Sequence, residues 1–181
     1  QEQKQNLNQK RFYQNLRRVM GQFKDKILAE FQPPRKWKLG RDLVYTTTDL
    51  YANEVKALKD VGVKVVRDTN KTETITVPTG FITDLASTPR ILWAFIAPFD
   101  VARAAIVHDL LYKSIRQYRW GKGEIEEDKE LIKNAKVAAD KVFHLAMKDA
   151  DPKVSGWKIY SAWKAVDLFG RWSIIPNEDN I

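Results

Sequence analysis

The feature that most restricts the fold is a change of hydrophobic pattern at Val77-Pro78-Thr79-Gly80. Upstream, β-branched residues dominate short runs bounded by turn formers. Downstream, apolar residues recur at steps of three and four, as one face of a helix requires. Proline lacks an amide hydrogen for a sheet ladder, so Pro78 with Gly80 ends the strands. The pattern predicts an α+β fold, with a small antiparallel sheet over residues 37–78 packed against a helical bundle. At 181 residues the chain suits one full core and is short for two. Residues 37–175 are therefore read as one domain, residues 1–34 as an arm and residues 176–181 as a loose tail.

Within the sheet region, Trp37 to Thr46 reads as a short strand. Val61 to Arg67 and Glu73 to Val77 read as a hairpin about Asp68-Thr69-Asn70-Lys71, with a helical insertion at 48–60. Four helices follow. Pro89 to Ala97 opens on Ser87-Thr88-Pro89, a capping hydroxyl before proline at the first helical position. Val101 to Ile115 is capped by Asp100, and a polar loop from Gln117 to Gly123 leads into a long helix over Glu124 to Ala150. The last helix starts at Pro152, and its Trp157, Tyr160, Trp163 and Phe169 recur at helical spacing and are expected in the core.

Ahead of the sheet, Phe12, Leu16, Val19, Phe23 and Ile27 predict one long amphipathic helix from Asn6 to Phe31, stopped by Pro33-Pro34. Of the net charge of +8, most lies here: residues 1–40 carry ten Lys and Arg against three acids, whereas the other 141 residues are nearly neutral. With Arg17 and Arg18 beside its apolar row, the arm fits an acidic protein surface, nucleic acid or anionic lipid; lysines kept for solubility give the same pattern.

Several classes of function are closed by composition. The chain has no cysteine, which removes disulfides, thiolate metal sites and cysteine nucleophiles. No apolar run reaches the roughly 18 residues of a membrane helix, and the amino terminus lacks a signal-peptide core, so a soluble chain is expected. Gln1 in place of Met fits either trimming or a start outside the numbered chain. There is no phosphate-binding glycine loop, Gly-x-Ser-x-Gly elbow, His-Glu-x-x-His zinc motif or helix-turn-helix pattern.

What remains is a His-Asp pair. Ala104, Ala105, His108 and Tyr112 share one helix face, and the two alanines let a second helix approach closely. That neighbour is expected to be the long helix carrying Ala138, Ala139 and Asp140. Run antiparallel, Asp140 would reach the His108 ring and fix its tautomer, the arrangement of a general base and its orienting acid. A buried histidine bonded to an aspartate is as readily a structural pair. Asp109 points about 100° away from His108 and could bind a metal or cap a loop. Asp84 could cap its own turn or pair with Arg90. His144, one turn beyond Asp140, is a conceivable second ligand or a surface residue.

The run VPTGFITDLASTPRILWAFIAPFDVARAAIVHDLLY resembles the signature of the phage and prophage family called domain of unknown function 1353. Thr83, Asp84, Ser87, Pro89, Arg90 and Trp93 belong to it, as do His108, Asp109 and Tyr112. The likeness continues through Ala139-Asp140, Phe143 and Met147 to Tyr160 and Phe169-Gly170, covering about Leu39 to Trp172; residues 48–60 and 117–135 look like additions. A local resemblance links H-D-x-x-Y and A-D-x-x-F to the helix pair of calcium-dependent secreted phospholipases. It implies His108 as the base activating water, Asp140 as its orienting acid, Tyr112 as a supporting hydroxyl and Asp109 as a calcium ligand. Calcium takes six to eight oxygens, however, and Asp109 with Asp84 leaves most of a shell to carbonyls and water.

The family resemblance implies a bacteriophage origin and supplies no established activity; taken with the basic arm, it leads to the expectation of a virion protein, tail-associated or elsewhere in the particle, made in the host cytoplasm. It would carry a hydrolase-like site and dock through its basic arm onto other phage structural proteins, with self-association as a further expectation. The alternatives are an active hydrolase of lipid esters or peptidoglycan, and a DNA-binding accessory protein whose arm contacts nucleic acid. A divalent metal is the only cofactor the residues hint at.

Overall fold

The computed structural model describes residues 21–24, 26–34, 36–83, 101–122, 126–151 and 153–181. They form two small antiparallel sheets and four helices. The strands are β1 (Gln22–Phe23), β2 (Ala29–Gln32), β3 (Lys36–Leu39), β4 (Leu43–Thr47), β5 (Val65–Arg67), β6 (Glu73–Val77) and β7 (Ile82–Thr83). The helices are α1 (Ala52–Asp60), α2 (Ala102–Lys122), α3 (Glu126–Lys148) and α4 (Gly156–Ser173). One sheet has the order β1-β4-β6-β5 and the other β2-β3-β7.

The β4–β6 ladder is the spine of the larger sheet, in register from Leu43 opposite Val77 to Thr47 opposite Glu73. Leu43, Tyr45, Ile75 and Val77 alternate inward along it and are buried, as the period of two requires. Glu73 is buried as well and pairs at 2.6 Å with Arg67 across the hairpin. The β5–β6 turn is organised by Asp68, whose Oδ1 accepts from the amides of Asn70 and Thr72 while Lys71 takes a positive φ of 61°. The expected strand over Trp37 to Thr46 is two strands, β3 and β4, which divide between the sheets at Gly40-Arg41-Asp42.

Helix α3 is central, packing against α1, α2 and α4. Ala135, Ala138, Ala139, Val142, Phe143 and Ala146 are fully buried along it, so small residues bring its neighbours close. Each large aliphatic side chain closed into such a core contributes about 1.5–3 kcal/mol. Helix α1 is tied to α3 by Glu54, which accepts from the Tyr51 amide at 2.8 Å and pairs with Lys141 at 2.7 Å. The sheet is fastened to the far end of α3 by the Tyr45 hydroxyl, which donates to Asp149 Oδ2 at 2.7 Å.

Besides the division of the Trp37 to Thr46 strand, and β7 lying beyond the Pro78-Gly80 stop, four larger departures from the sequence reading stand out. The helix expected over Asn6 to Phe31 is replaced in residues 22–32 by strands β1 and β2. Gly21 explains part of this: a Cβ there would collide with the Asp149 carboxylate and lie 2.7 Å from the Tyr45 hydroxyl, so only glycine lets the chain enter beside β4. Phe23 then packs on Tyr45 at 5.0 Å and Phe31 on Trp37 at 5.2 Å, while Ile27 and Leu28 lie exposed between the strands. Residues 21–34 thus join the sheets, and Phe12, Leu16, Arg17, Arg18 and Val19 lie outside the described residues.

The second departure is the expected loop at 117–123, where α2 instead continues to Lys122. Tyr118 anchors that extra turn by donating to Asp128 of α3 at 2.9 Å. The third is the tail, which is not loose. Arg116 Nε donates to the Asn180 carbonyl at 2.7 Å, and Asn177 and Asn180 close a turn at 2.8 Å. The fourth is α4, whose Trp157, Tyr160 and Phe169 face outward, while Ile159, Ala162, Ala165, Val166 and Gly170 face in. The expected helix over Pro89 to Ala97 lies outside the described residues.

Candidate active site

The antiparallel pairing of α2 and α3 sets the site. Tyr118 meets Asp128 near one end, so residues about three turns away on each helix, His108 and Asp140, meet at the other. Ala104 and Ala138 are almost fully buried in this seam and allow the close approach. His108 Nε2 donates to Asp140 Oδ1 at 3.0 Å, and the Tyr112 hydroxyl donates to the same oxygen at 2.6 Å. The second oxygen, Oδ2, accepts from Lys136 Nζ at 2.6 Å. The structure therefore brings together His108, Tyr112 and Asp140, and adds Lys136.

All three members named from sequence are buried: His108 is 5% exposed, Tyr112 2% and Asp140 4%. Burial opposes ionisation of Asp140, but the hydrogen bond and charge of His108, with the donors Lys136 and Tyr112, outweigh it. The carboxyl is held below its ordinary value of 3.8. Burial first, and then the Asp140 charge, push the Tyr112 hydroxyl well above its ordinary range, so it stays a donor. An ionised carboxylate can only accept, so Nε2 carries a proton toward Asp140, and in the neutral form of the ring the lone pair lies on Nδ1. Among the described residues the ring hydrogen-bonds through Nε2 alone. Tyr112 at 4.0 Å and Phe143 at 4.8 Å between ring centroids fix its plane.

Lys136 and Gly170 are the residues the sequence reading missed. Lys136 lies one helical turn before Asp140 and also donates to the Val166 carbonyl of α4 at 3.3 Å, so the cluster reaches a third helix. Gly170 makes room for it: a Cβ there would collide with the Tyr112 hydroxyl and sit 3.2 Å from Lys136 Cε. The i, i+4 spacing of Lys136 and Asp140 was the available signal for the lysine. Gly170 offered none beyond its place in a pattern.

Asp109 does not share this cluster. Its Oδ2 accepts from the Thr83 hydroxyl of β7 at 2.5 Å, both residues being buried, so it holds the end of that strand against α2. It also lines a cleft of about 420 Å³ with Lys36, Lys113, Arg116 and the carboxyl-terminal turn. Asp84, Ser87, Pro89, Arg90 and Trp93 lie outside the described residues. Among the described residues, no three His, Asp or Glu side chains converge as a metal site. His144 stands apart from His108, edge-on to Trp163 at 5.6 Å. Burial and the nearby Lys148 charge lower its pKa, so it is neutral at pH 7. His144 shares with Asp140 a cleft of about 320 Å³ between α3 and α4, lined also by Val137, Lys141, Trp163 and Asp167.

No described helix is long and apolar enough to cross a membrane. Neither a curated protein nor a solved structure matches the chain. A family model does, over residues 55–166, from within α1 to α4. That span is narrower than the likeness read from Leu39 to Trp172, and it includes residues 117–135, which looked like additions. It contains His108, Asp109, Tyr112, Lys136 and Asp140, and on it the chain belongs to the family described as protein of unknown function DUF1353.

Proposed function

We propose that the chain is a bacteriophage particle protein carrying a hydrolase-like site in which His108 is the general base. The observation that supports this is the hydrogen bond: Asp140, held ionised, accepts from Nε2–H and leaves Nδ1 as the basic atom of the neutral ring. In such a site Nδ1 removes a proton from water as the water oxygen bonds to an acyl carbon. The imidazolium, stabilised by Asp140, then returns that proton to the leaving alkoxide or amine as the acyl bond breaks. Asp140 and Tyr112 position the ring and do not touch the substrate. The phage assignment is supported by the family signature, and envelope lipid esters or peptidoglycan are the substrates that setting offers.

The test is hydrolysis of phospholipid vesicles and of peptidoglycan by the full chain beside His108→Ala. Loss of general-base catalysis lowers a rate by about 10²–10⁴-fold, so the variant should lose that much while keeping its circular dichroism. No hydrolysis of either substrate by the parent chain, or equal rates in the two proteins, overturns the reading.

A second reading rests on Lys136. Its ammonium joins Asp140 to the Val166 carbonyl, so the same residues fasten α2, α3 and α4 together. In that case the cluster is a structural staple of the particle protein, and His108→Ala lowers stability without touching any rate.

A further inference from the structure

We propose that the outer face of α4 is a docking surface for an anionic lipid bilayer, a reading independent of the chemistry at His108. Six large apolar residues lie on or beside this face: Trp157, Tyr160, Leu168, Phe169, Trp172 and Ile175 are each between 46% and 58% exposed. Trp157, Tyr160, Lys164, Leu168, Arg171 and Trp172 follow one another at steps that keep them on one side of the helix. Exposed aromatics scattered singly need no explanation, but a row of apolar and cationic residues along about four turns does.

The kind of partner follows from composition and charge. Indole and phenol rings combine an apolar body with a polar edge, the character that places Trp and Tyr at the boundary between headgroups and acyl chains. Lys158, Lys164 and Arg171 against Asp167 leave α4 with a net positive charge. Arg171 lies over the Trp172 ring at 4.2 Å and Lys164 over Trp163 at 5.1 Å, so the cations sit among the aromatics. A helix lying flat in a headgroup layer has this distribution. A second copy meeting this face brings the same surplus of cations over Asp167 and so no complementary negative charge. The chain's first twenty residues are no better suited, since they too are basic, with five Lys and Arg against Glu2. Negative charge spread over a broad surface is what the row complements.

The experiment measures binding of the full chain to vesicles of phosphatidylglycerol and phosphatidylcholine in equal parts, and to phosphatidylcholine alone, by co-sedimentation and Trp emission. Uptake by the anionic vesicles with a blue shift is expected, and at least about tenfold weaker uptake by phosphatidylcholine. Two paired variants, Trp157→Ser with Trp172→Ser and Lys164→Glu with Arg171→Glu, should each weaken anionic binding at least about tenfold. Both should leave the thermal midpoint unchanged. Because the amino-terminal residues are intact in every protein, binding retained by either pair means that another segment carries it and overturns the proposal. So does a parent chain that ignores vesicles, whether it self-associates through Trp172 or binds an acidic protein instead. A large fall in the thermal midpoint of the Trp pair also overturns it, because the face would then be covered within the chain.

Discussion

The two sides of α4 reverse the usual relation between size and burial. Apart from Ile159, its inner side is made of Ala162, Ala165, Val166 and Gly170, and its outer side carries Trp157, Tyr160, Leu168 and Trp172. The inner side must come close enough for the Val166 carbonyl to reach Lys136 and for Gly170 to lie against the Tyr112 hydroxyl. An indole at either place would hold α4 away and cost Lys136 its Val166 acceptor. Small residues face inward here because the polar cluster needs a thin wall: a polar contact can dictate which apolar residues a helix buries.

That asymmetry is most vulnerable from the inside. Asp140→Ala should cost about 3–5 kcal/mol in denaturant unfolding, because it strands Lys136 and two further donors. The same variant gives the acid dependence. The folded-state pKa of Asp140 lies below its ordinary 3.8, so its contribution is complete above that value and is lost as pH falls through the folded pKa. The stability gap between parent and variant should therefore be constant near neutrality and close only below 3.8. A gap that closes at higher pH contradicts the ionised cluster. Tyr112→Phe, which removes one donor to a charged acceptor, should cost about 1.5–3 kcal/mol by the same measurement.

Gly170→Val thickens the inner wall and leaves the outer side as it is. Overpacking against Tyr112 and Lys136 should cost about 1–3 kcal/mol, read as a lower denaturant midpoint. On the outer side, Trp157→Ser and Trp172→Ser should each stay within about 0.5 kcal/mol of the parent, although each removes a far larger side chain. Outer substitutions more damaging than Gly170→Val would mean that the indoles, and not the small residues, hold α4 in place.

How far the sequence disclosed all this depends on how local each signal was. The hairpin at Asp68 and the Glu73 to Val77 strand were legible because a turn aspartate and β-branched residues act over a few positions. The meeting of His108 with Asp140 was legible because two helix faces of small residues can pack in few ways. The strands at 22–32 were not. Phe23, Ile27 and Phe31 keep a helical spacing, and what overrides it is the approach of Gly21 to Asp149 and Tyr45, residues distant along the chain. The outward row on α4 was hidden for the same reason: helical periodicity shows that a helix has two sides, and here the inward one was chosen by Lys136 and Tyr112 on other helices.

The carboxyl-terminal turn couples two distant stretches of backbone. Arg116 donates to the Ser173 carbonyl at 3.1 Å and Arg119 to the Ile174 carbonyl at 2.7 Å, so guanidinium groups from α2 cap the acceptors that α4 leaves at its end. Fraying of α4 from its carboxyl-terminal end must therefore begin by releasing the two α2 arginines. Amide exchange at Ile174 and Ile175 then reports the integrity of the helix carrying His108, from a position well removed from it in the chain.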